Sequence, residues 1–282
     1  MSRLKDILEG VEVIRIEGSP DERIESIYSD SREITAGSLF VAVRGLSVDG
    51  HQFIEKTEEA GVTAVVCEKL PESLNAETTY VQVEDSGKAL GQIASNFYGN
   101  PSEKLNLVGI TGTNGKTTTV TLLYQLFLKK YGKSGLISTI ANYINDEKIP
   151  TRYTTPDAIQ INRLLKQMVD AGCNYAFMEV SSHALKQKRT SGLHFKGAVF
   201  TNITHEHLDY HKTFRDYIDS KKLLFDHYLS GDSFALYNAD DRNGKIMMQN
   251  TPARVYSFAL KTPADYKARV IEKHVEGTLI NL

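Results

Sequence analysis

The twelve residues GITGTNGKTTTV, at positions 109–120, combine three glycines, one lysine and five threonines directly after the apolar run LNLV. Gly112 and Gly115 allow backbone N–H groups to turn toward an anion, and a helix that begins near Lys116 offers it the positive end of its dipole. In such a loop the lysine reaches the outer phosphates, and the hydroxyl of Thr117 can bind Mg²⁺. The pattern therefore predicts a phosphate-binding loop. Its residues are Gly112, Thr113, Asn114, Gly115, Lys116, Thr117 and Thr118.

This loop departs in one place from the common spacing G-x-x-x-x-G-K-[ST]. The common spacing requires glycine at position 110, where the chain has Ile110, and Gly109 lies one residue earlier. A glycine- and threonine-rich turn without a ligand is the alternative interpretation. The position of GKT, after a strand and before an amphipathic helix, favours the phosphate loop.

Three further groups could contribute to a metal site. Glu179 lies at the carboxyl end of the strand-like run YAFMEV, where a parallel sheet exposes its ligand site, although an ordinary glutamate at a strand end is the alternative. The segment THEHLDYH contains His205, His207 and His211, but it lacks H-E-x-x-H and has no cysteine nearby, which disfavours zinc. Lys221, taken alone, is one of two adjacent lysines on a helix, and a solvated pair is the ordinary interpretation.

Composition limits the classes of protein that these groups can serve. The chain has 282 residues, 33 Lys+Arg and 35 Asp+Glu, which predicts two domains and gives no overall charge that would attract nucleic acid or a membrane surface. The two cysteines, Cys67 and Cys173, lie far apart beside apolar runs, as expected of buried free thiols in a reducing cytoplasm. The N-terminal segment has charges every few residues, and the sequence contains no run of about 18 apolar residues, so we expect neither a signal peptide nor a membrane span.

Short β-rich runs alternate with helical patterns along the whole chain, which predicts an α/β fold. We place a domain boundary at the turn GNP near residue 100, and we expect domains at 1–100 and 101–282. In the first domain, the helix SGKALGQIASNF has Ser86 as its possible N-cap. In the second, regular alternation predicts a doubly wound, mostly parallel sheet that binds ligands at the carboxyl ends of its strands. The last residues predict a strand, a turn at Glu276-Gly277 and a returning strand.

TGTNGKTT is the form of phosphate loop seen in the Mur ligases, which use ATP to join amino acids to the peptide of the cell-wall precursor. The segment from YSDSR to TAVVCE resembles the uridine-nucleotide-binding domain that the MurE and MurF types share. The motifs TTPDA, MEVSSHALKQKR, FTNITHEHLDYH and YIDSKKLLFD resemble the MurE type in particular. The similarity runs from about residue 24 to 260, and its motifs follow the family's order.

The resemblance also implies roles for individual residues. It makes Lys116, Glu179, His207 and Lys221 catalytic. It makes Thr117, Glu179, His207 and Lys221 ligands of Mg²⁺, with Lys221 carbamylated by CO₂ and preferred to Lys222. It places the uridine nucleotide at Ser29, Ser31, Leu46, Ser47 and Val48. It places the muramoyl-peptide at Thr154, Thr155, Ser181, Gln187 and Arg189. A bidentate guanidinium at Arg189 would suit a substrate rich in carboxylates.

The implied function is an ATP- and Mg²⁺-dependent amide ligase of peptidoglycan precursor synthesis. It adds meso-diaminopimelate or L-lysine to the D-Glu of UDP-N-acetylmuramoyl-L-alanyl-D-glutamate through an acyl phosphate. We expect a cytoplasmic monomer that contains the first two domains of a three-domain ligase and therefore binds this substrate but ligates poorly. The alternatives are a MurF-type ligase, a nucleotide-binding module without ligase activity and a metal-dependent hydrolase that uses the histidines.

Overall fold

The computed structural model describes residues 2–45, 48–150, 156–204, 211–274 and 276–281. The chain divides into two compact units. The first contains the chain up to Pro101 together with Pro156–Lys166 and Gln187–Leu193, and the second contains the remainder.

The first unit is built on a five-stranded sheet. Four strands, in the order β7-β6-β5-β4, are parallel, and β2 joins β7 antiparallel at one edge. All residues of β5 and β6 are buried, as expected for parallel strands covered on both faces. The elements up to residue 101 are β1 Ser2–Arg3, α1 Leu4–Ile7, β2 Val13–Glu17, β3 Arg23–Ile24, β4 Ser26–Tyr28, β5 Ser38–Val41, α2 Ile54–Glu59, β6 Ala64–Cys67, β7 Thr79–Val83 and α3 Ser86–Phe97.

The N-cap of α3 is Asp85, and the prediction of Ser86 is wrong by one residue. The Asp85 carboxylate accepts a hydrogen bond from the backbone N–H of Lys88, at 2.9 Å. Ser86 lies in the first turn of the helix, where its hydroxyl donates to Glu68 Oε1 at 3.0 Å. Aspartate is as good an N-cap as serine, so the sequence offered two adjacent candidates of similar strength.

The second unit contains a nine-stranded sheet in the order β11-β10-β9-β12-β8-β13-β14-β15-β16. The elements beyond residue 101 are β8 Asn106–Thr111, α4 Lys116–Tyr131, β9 Gly135–Ile137, β10 Asn142–Ile144, β11 Glu147–Ile149, α5 Ala158–Asp170, β12 Tyr175–Glu179, α6 Ser182–Lys186, β13 Gly197–Phe200, α7 Phe214–His227, β14 Phe234–Asn238, α8 Gly244–Met247, β15 Arg254–Ala259, β16 Tyr266–Lys267, β17 Arg269–His274 and β18 Gly277–Asn281.

Seven neighbouring strands of this sheet, from β9 to β16, are parallel, and the hairpin β10–β11 joins one edge antiparallel. The sheet begins with β8 in the middle, and the chain then forms β9, β10 and β11 on one side before it returns to place β12 between β8 and β9. From β13 onward the strands are added on the other side of β8. The predicted α/β class with a mainly parallel, doubly wound sheet is confirmed. The reversal of direction at β8 is the switch point where such sheets bind ligands.

Helix α4 packs on this sheet through the face that the sequence predicted. Val120 and Tyr124 are buried, and Leu123 and Phe127 pack against the same cluster of sheet residues. The predicted terminal hairpin is also confirmed, because β17 and β18 pair antiparallel. Among the described residues, no helix is long and apolar enough to cross a membrane.

Candidate active site

The phosphate loop lies at the switch point of the second sheet. Strand β8 ends at Thr111, and α4 begins at Lys116. Between them, Gly112 and Gly115 have φ values of +152° and +86°, which residues other than glycine rarely adopt. The loop therefore turns directly from the carboxyl end of a central strand into a helix N-terminus, as anion binding requires.

The two glycines at positions 109 and 112 have different tasks, which explains the unusual spacing of the motif. Gly109 lies within β8, where a Cβ atom would approach the Phe195 ring to 2.8 Å. Gly112 begins the loop, and a Cβ atom there would lie 2.0 Å from Thr201 Oγ1. Gly109 is thus a packing residue of the strand, and the loop proper begins at Gly112.

A segment after β13 fixes the conformation of the loop. Thr113 N donates to the carbonyl of Asn202 at 2.8 Å, and Asn114 N donates to Asn202 Oδ1 at 2.9 Å. Thr201 Oγ1 donates to the carbonyl of Asn114 at 2.8 Å. Sequence reasoning missed Thr201 and Asn202, although their position directly after a strand beside the switch point was a usable signal.

Two lysines converge on one carbonyl oxygen of the loop. Lys116 Nζ donates to Gly112 O at 2.9 Å and to Thr113 O at 2.8 Å, and Lys221 Nζ donates to Gly112 O at 2.8 Å. Because both nitrogens lie within 3 Å of the same oxygen, they lie less than about 6 Å apart. While both side chains are unmodified ammonium groups, two like charges held this close favour a multiply charged anion at the loop.

The structure distinguishes Lys221 from its neighbour Lys222. Both side chains are buried, so the interpretation as a solvated lysine pair is wrong. Lys222 Nζ contacts both carboxylate oxygens of Asp226 on its own helix, each at 2.7 Å, whereas Lys221 extends from α7 to the loop. Lys221 thus contacts the phosphate loop, and Lys222 makes an ion pair within α7.

Oxygen atoms that could bind Mg²⁺ lie at the same carboxyl edge of the sheet. Glu179 is the last residue of β12, pairs in register with Ile110 of β8, and is 8% exposed. Its Oε1 accepts from Thr139 N at 3.2 Å and from Thr139 Oγ1 at 3.4 Å, and sequence reasoning missed this partner. Thr117 lies half-buried in the first turn of α4. A carboxylate and a hydroxyl are hard ligands of the kind that Mg²⁺ prefers, so these residues fit the ion.

A polar cavity of about 380 Å³ lies at the carboxyl ends of β13 and β14, next to the loop. Thr204, which lines it, donates its backbone N–H to Thr113 Oγ1 at 3.0 Å. The volume is within the range of small-molecule sites. Its lining residues are Ile203, Thr204, Asp240, Asp241, Arg242 and Asn243.

Of the three histidines in THEHLDYH, His211 is described, and His205 and His207 lie outside the described residues. His211 is fully buried, and its Nε2 lies 2.9 Å from Ser182 Oγ. Its Nδ1 lies 3.4 Å from Asp216 Oδ2. This order of serine, histidine and aspartate resembles a hydrolase triad, but Ser182 is 2% exposed and a substrate cannot reach it. Within the described ranges, no group of three His, Cys, Asp or Glu side chains is arranged to hold a metal.

Burial of His211 predicts a pH dependence of stability. Burial lowers the pKa of His211 below its ordinary value of about 6.5, although the Asp216 carboxylate opposes this shift. A lowered folded-state pKa means that the unfolded chain binds the proton more readily. The stabilising contribution is therefore complete above about pH 6.5 and is lost as the pH falls below that value. We expect the free energy of unfolding, measured in urea, to decrease as the pH falls below about 6.5. His211 should contribute up to about 1.4 kcal/mol per pH unit to this decrease.

The control for that measurement is an exposed histidine of the same unit. His211→Gln should reduce the slope between pH 6.5 and 5, whereas His194→Gln, at a side chain that is 67% exposed, should leave it unchanged. An unchanged slope in His211→Gln would contradict the assignment.

Three of the predicted uridine-nucleotide residues are described, and they follow neighbouring strands of the first sheet. Ser29 and Ser31 follow β4, and Val48, which is half exposed, follows the adjacent parallel strand β5. Between the serines, Asp30 accepts hydrogen bonds from Arg32, whose guanidinium holds the pKa of Asp30 below its ordinary value. Leu46 and Ser47 lie outside the described residues.

Three of the predicted muramoyl-peptide residues are described. Ser181, in the second unit, accepts a hydrogen bond from Ala184 N at 3.1 Å and so caps α6. Gln187 and Arg189, in the first unit, are half-buried and flank Lys188, which has a φ of +58° and forms an ion pair with Asp85. Thr154 and Thr155 lie outside the described residues.

A phosphate loop at the switch point of a mainly parallel sheet places this chain in the class of P-loop α/β proteins. The sequence matches the Mur ligase middle domain over residues 110–282 and the catalytic domain of the Mur ligase family over residues 23–98. The chain therefore belongs to the Mur ligase family.

Two similar relatives are named UDP-N-acetylmuramoyl-L-alanyl-D-glutamate–2,6-diaminopimelate ligase. That of Cytophaga hutchinsonii is 54% identical over 98% of this chain, and that of Bacteroides fragilis is 52% identical over 99%. The chain spans 57% of the length of each. A solved structure of a ligase with the same name superposes with a TM-score of 0.83 at 25% identity, over 99% of this chain and 57% of that one. A MurF ligase from Thermotoga maritima in complex with ADP has the same fold, with a TM-score of 0.59 at 21% identity, over 92% of this chain and 55% of that one.

Proposed function

We propose that the chain binds Mg²⁺·ATP through its second unit and the UDP-linked dipeptide as its substrate, as part of an amide ligase of peptidoglycan precursor synthesis. The observation that carries the proposal is the convergence of Lys116 and Lys221 on Gly112 O, at the sheet edge where Glu179 ends β12. The names of the relatives support 2,6-diaminopimelate as the residue added, in preference to L-lysine.

In the proposed reaction, ATP transfers its γ-phosphoryl group to the D-Glu carboxylate, and the amine of the diamino acid then displaces phosphate to form the amide. The chain must hold the phosphates in place and neutralise their charge. The loop N–H groups, the α4 N-terminus and Lys116 perform these tasks. Thr117, Glu179, Lys221 and His207 would hold Mg²⁺, and the polar cavity beside Thr204 has room for the nucleoside.

Lys221 acts in this proposal as a carbamate. The neutral amine attacks CO₂, a C–N bond forms, and the nitrogen releases one proton, so that a cation becomes a carboxylate-like anion. The carbamate nitrogen keeps one N–H, which can still donate to Gly112 O, whereas its two oxygens only accept hydrogen bonds and must turn away from that carbonyl. Nearby positive charge from Lys116 and Mg²⁺ would stabilise the anion.

The UDP-linked dipeptide is assigned to the residues that the resemblance indicates. We propose that residues 1–100 bind the uridine nucleotide through Ser29, Ser31 and the segment 46–48. Both serines lie at the carboxyl edge of a parallel sheet, where α/β folds bind ligands. The peptide is assigned to Thr154, Thr155, Ser181, Gln187 and Arg189. Arg189 would pair with a substrate carboxylate.

Thermal unfolding tests both halves of the proposal. UDP-N-acetylmuramoyl-L-alanyl-D-glutamate alone, at about 100 times its Kd, should raise Tm by about 5 °C, because a ligand that binds only the folded state adds about 2.7 kcal/mol. Mg²⁺·ATP should raise Tm separately. Glu179→Gln should raise about tenfold the concentration of Mg²⁺·ATP that is needed for a given rise in Tm. It should leave the rise in Tm caused by the UDP-dipeptide unchanged.

The same assay discriminates the alternatives. A MurF-type ligase predicts stabilisation by the UDP-linked tripeptide and not by the dipeptide. A nucleotide-binding module predicts stabilisation by Mg²⁺·ATP and indifference to either UDP compound. Failure of both the UDP-dipeptide and Mg²⁺·ATP to raise Tm would overturn the proposed function.

A further inference from the structure

Tyr217 occupies a central position between the phosphate loop and Lys221. It lies on α7 one turn before Lys221, and its side chain is fully buried. Residues four apart on a helix share a face, so the Tyr217 ring and the Lys221 side chain lie side by side. The two ends of the tyrosine side chain make different contacts.

The ring of Tyr217 contacts the lysine, and its hydroxyl contacts the loop. Lys221 Nζ lies 4.5 Å from the centroid of the ring, within the range of a cation–π interaction. The phenol oxygen lies 3.2 Å from Thr113 Oγ1, and either oxygen can be the donor. Thr113 Oγ1 also accepts a hydrogen bond from Thr204 N at 3.0 Å. In the sequence, Thr204 comes directly before the segment that contains His207.

We propose that Tyr217 is a positioning residue that couples the conformation of the phosphate loop to the position of Lys221. A lysine side chain has about 2 kcal/mol of rotamer entropy, and a useful metal ligand or charge must be held in one place. The ring of Tyr217 and the carbonyl of Gly112 confine Lys221 Nζ, while the hydroxyl on Thr113 fixes the ring relative to the loop. The catalytic meaning of this coupling rests on the proposed function of Lys221, but the coupling itself does not.

A tyrosine that only fills the core would give a different result from a positioning residue. Deleting the hydroxyl of such a residue would lower stability and leave ligand affinity and the accessibility of Lys221 unchanged. Tyr217→Phe keeps the ring and removes the contact with Thr113. Tyr80→Phe is a matched control, because the buried Tyr80 hydroxyl in the first unit donates to Glu58 at 2.7 Å and accepts from Asn75 N at 2.9 Å.

The test measures two properties of the 282-residue chain for wild type, Tyr217→Phe and Tyr80→Phe. The first is the Kd for Mg²⁺·ATP by calorimetry, which should rise about fivefold in Tyr217→Phe and stay unchanged in Tyr80→Phe. The second is the rate at which an amine-reactive acetylating reagent modifies Lys221, followed by mass spectrometry. This rate should rise at least threefold in Tyr217→Phe relative to Lys222, which its Asp226 partner holds on the same helix.

The two measurements separate failure of this inference from failure of the proposed function. If wild type does not bind Mg²⁺·ATP, the nucleotide half of the proposed function falls, and the acetylation rate of Lys221 still decides the role of Tyr217. An unchanged Lys221 rate in Tyr217→Phe overturns the inference whatever the nucleotide result.

Discussion

Gly112→Ala is expected to abolish detectable binding of Mg²⁺·ATP and to lower the free energy of unfolding by about 2–4 kcal/mol. The new Cβ atom would lie 2.0 Å from Thr201 Oγ1, 3.0 Å from the carbonyl oxygen of Asn202 and 3.2 Å from its backbone nitrogen. Two of these atoms are backbone, so the loop itself must move. The φ of +152° adds strain for any residue with a Cβ atom.

Movement of Gly112 would disturb several of the groups that are proposed to bind phosphate. Its carbonyl accepts from both Lys116 and Lys221, and the next residue, Thr113, bonds to Asn202. Calorimetric titration with Mg²⁺·ATP and urea unfolding would measure the two effects on the same sample. Binding within threefold of wild type would contradict the expectation.

Gly132→Ala is the matched control at the other end of α4. Gly132 has a φ of +76°, and among the described residues nothing lies within 4 Å of the position of its Cβ atom. The substitution should therefore cost about 1–2 kcal/mol in backbone strain and leave nucleotide binding unchanged. Gly115 has a φ of +86°, and its surroundings are equally open. The variant Gly115→Ala therefore separates the effect of backbone strain within the loop from that of the steric clash at Gly112.

The sequence was sufficient to predict the loop, the class of the fold and the direction of the central strands. Local periodicity determines which residues of α4 face the sheet, and a strand followed by GKT and a helix determines the loop. The parallel sheet then brings residues that follow β8, β12 and β13 to one edge without further information. Glu179 was found in this way, and Thr201 and Asn202 could have been.

Contacts between distant segments could not be predicted from local pattern. Nothing in the spacing of Thr139 or Tyr217 indicates that one bonds Glu179 and the other contacts Lys221, because these contacts depend on side-chain packing across elements. The same limit applies to the task of Gly109, which only the approach of Phe195 reveals. Family resemblance, not periodicity, selected Lys221 from the pair of lysines, and the roles of the site residues stay predictions.

The two adjacent lysines give the sharpest contrast between a functional and a structural charge. Lys221→Met is expected to weaken Mg²⁺·ATP binding about tenfold or more, because it removes a charged group at the loop. It should leave the free energy of unfolding within about 1 kcal/mol of wild type, since methionine keeps the apolar volume of the side chain and avoids the cost of burying an ammonium group. Gly112 O retains Lys116 as a donor, so the substitution leaves this acceptor paired.

Lys222→Met should have the opposite pattern. It would leave the Asp226 carboxylate, whose side chain is 16% exposed, without the ammonium that contacts both of its oxygens. An unpaired, largely buried carboxylate costs about 1–3 kcal/mol, and Lys222 makes its ion pair along α7, away from the loop contact of Lys221. We therefore expect a loss of stability with nucleotide affinity within twofold of wild type.

Urea unfolding and calorimetric titration of both variants, each with wild type in parallel, give two changes in stability and two changes in affinity. We expect Lys221→Met to lose affinity and Lys222→Met to lose stability. If Lys221→Met loses stability and keeps its affinity, Lys221 is a structural charge and its proposed role as a metal ligand is wrong. If both variants lose affinity, α7 as a whole supports the loop and the two lysines are not separable. Only the crossed result shows that the chain keeps a buried charge at position 221 for binding and one at position 222 for folding.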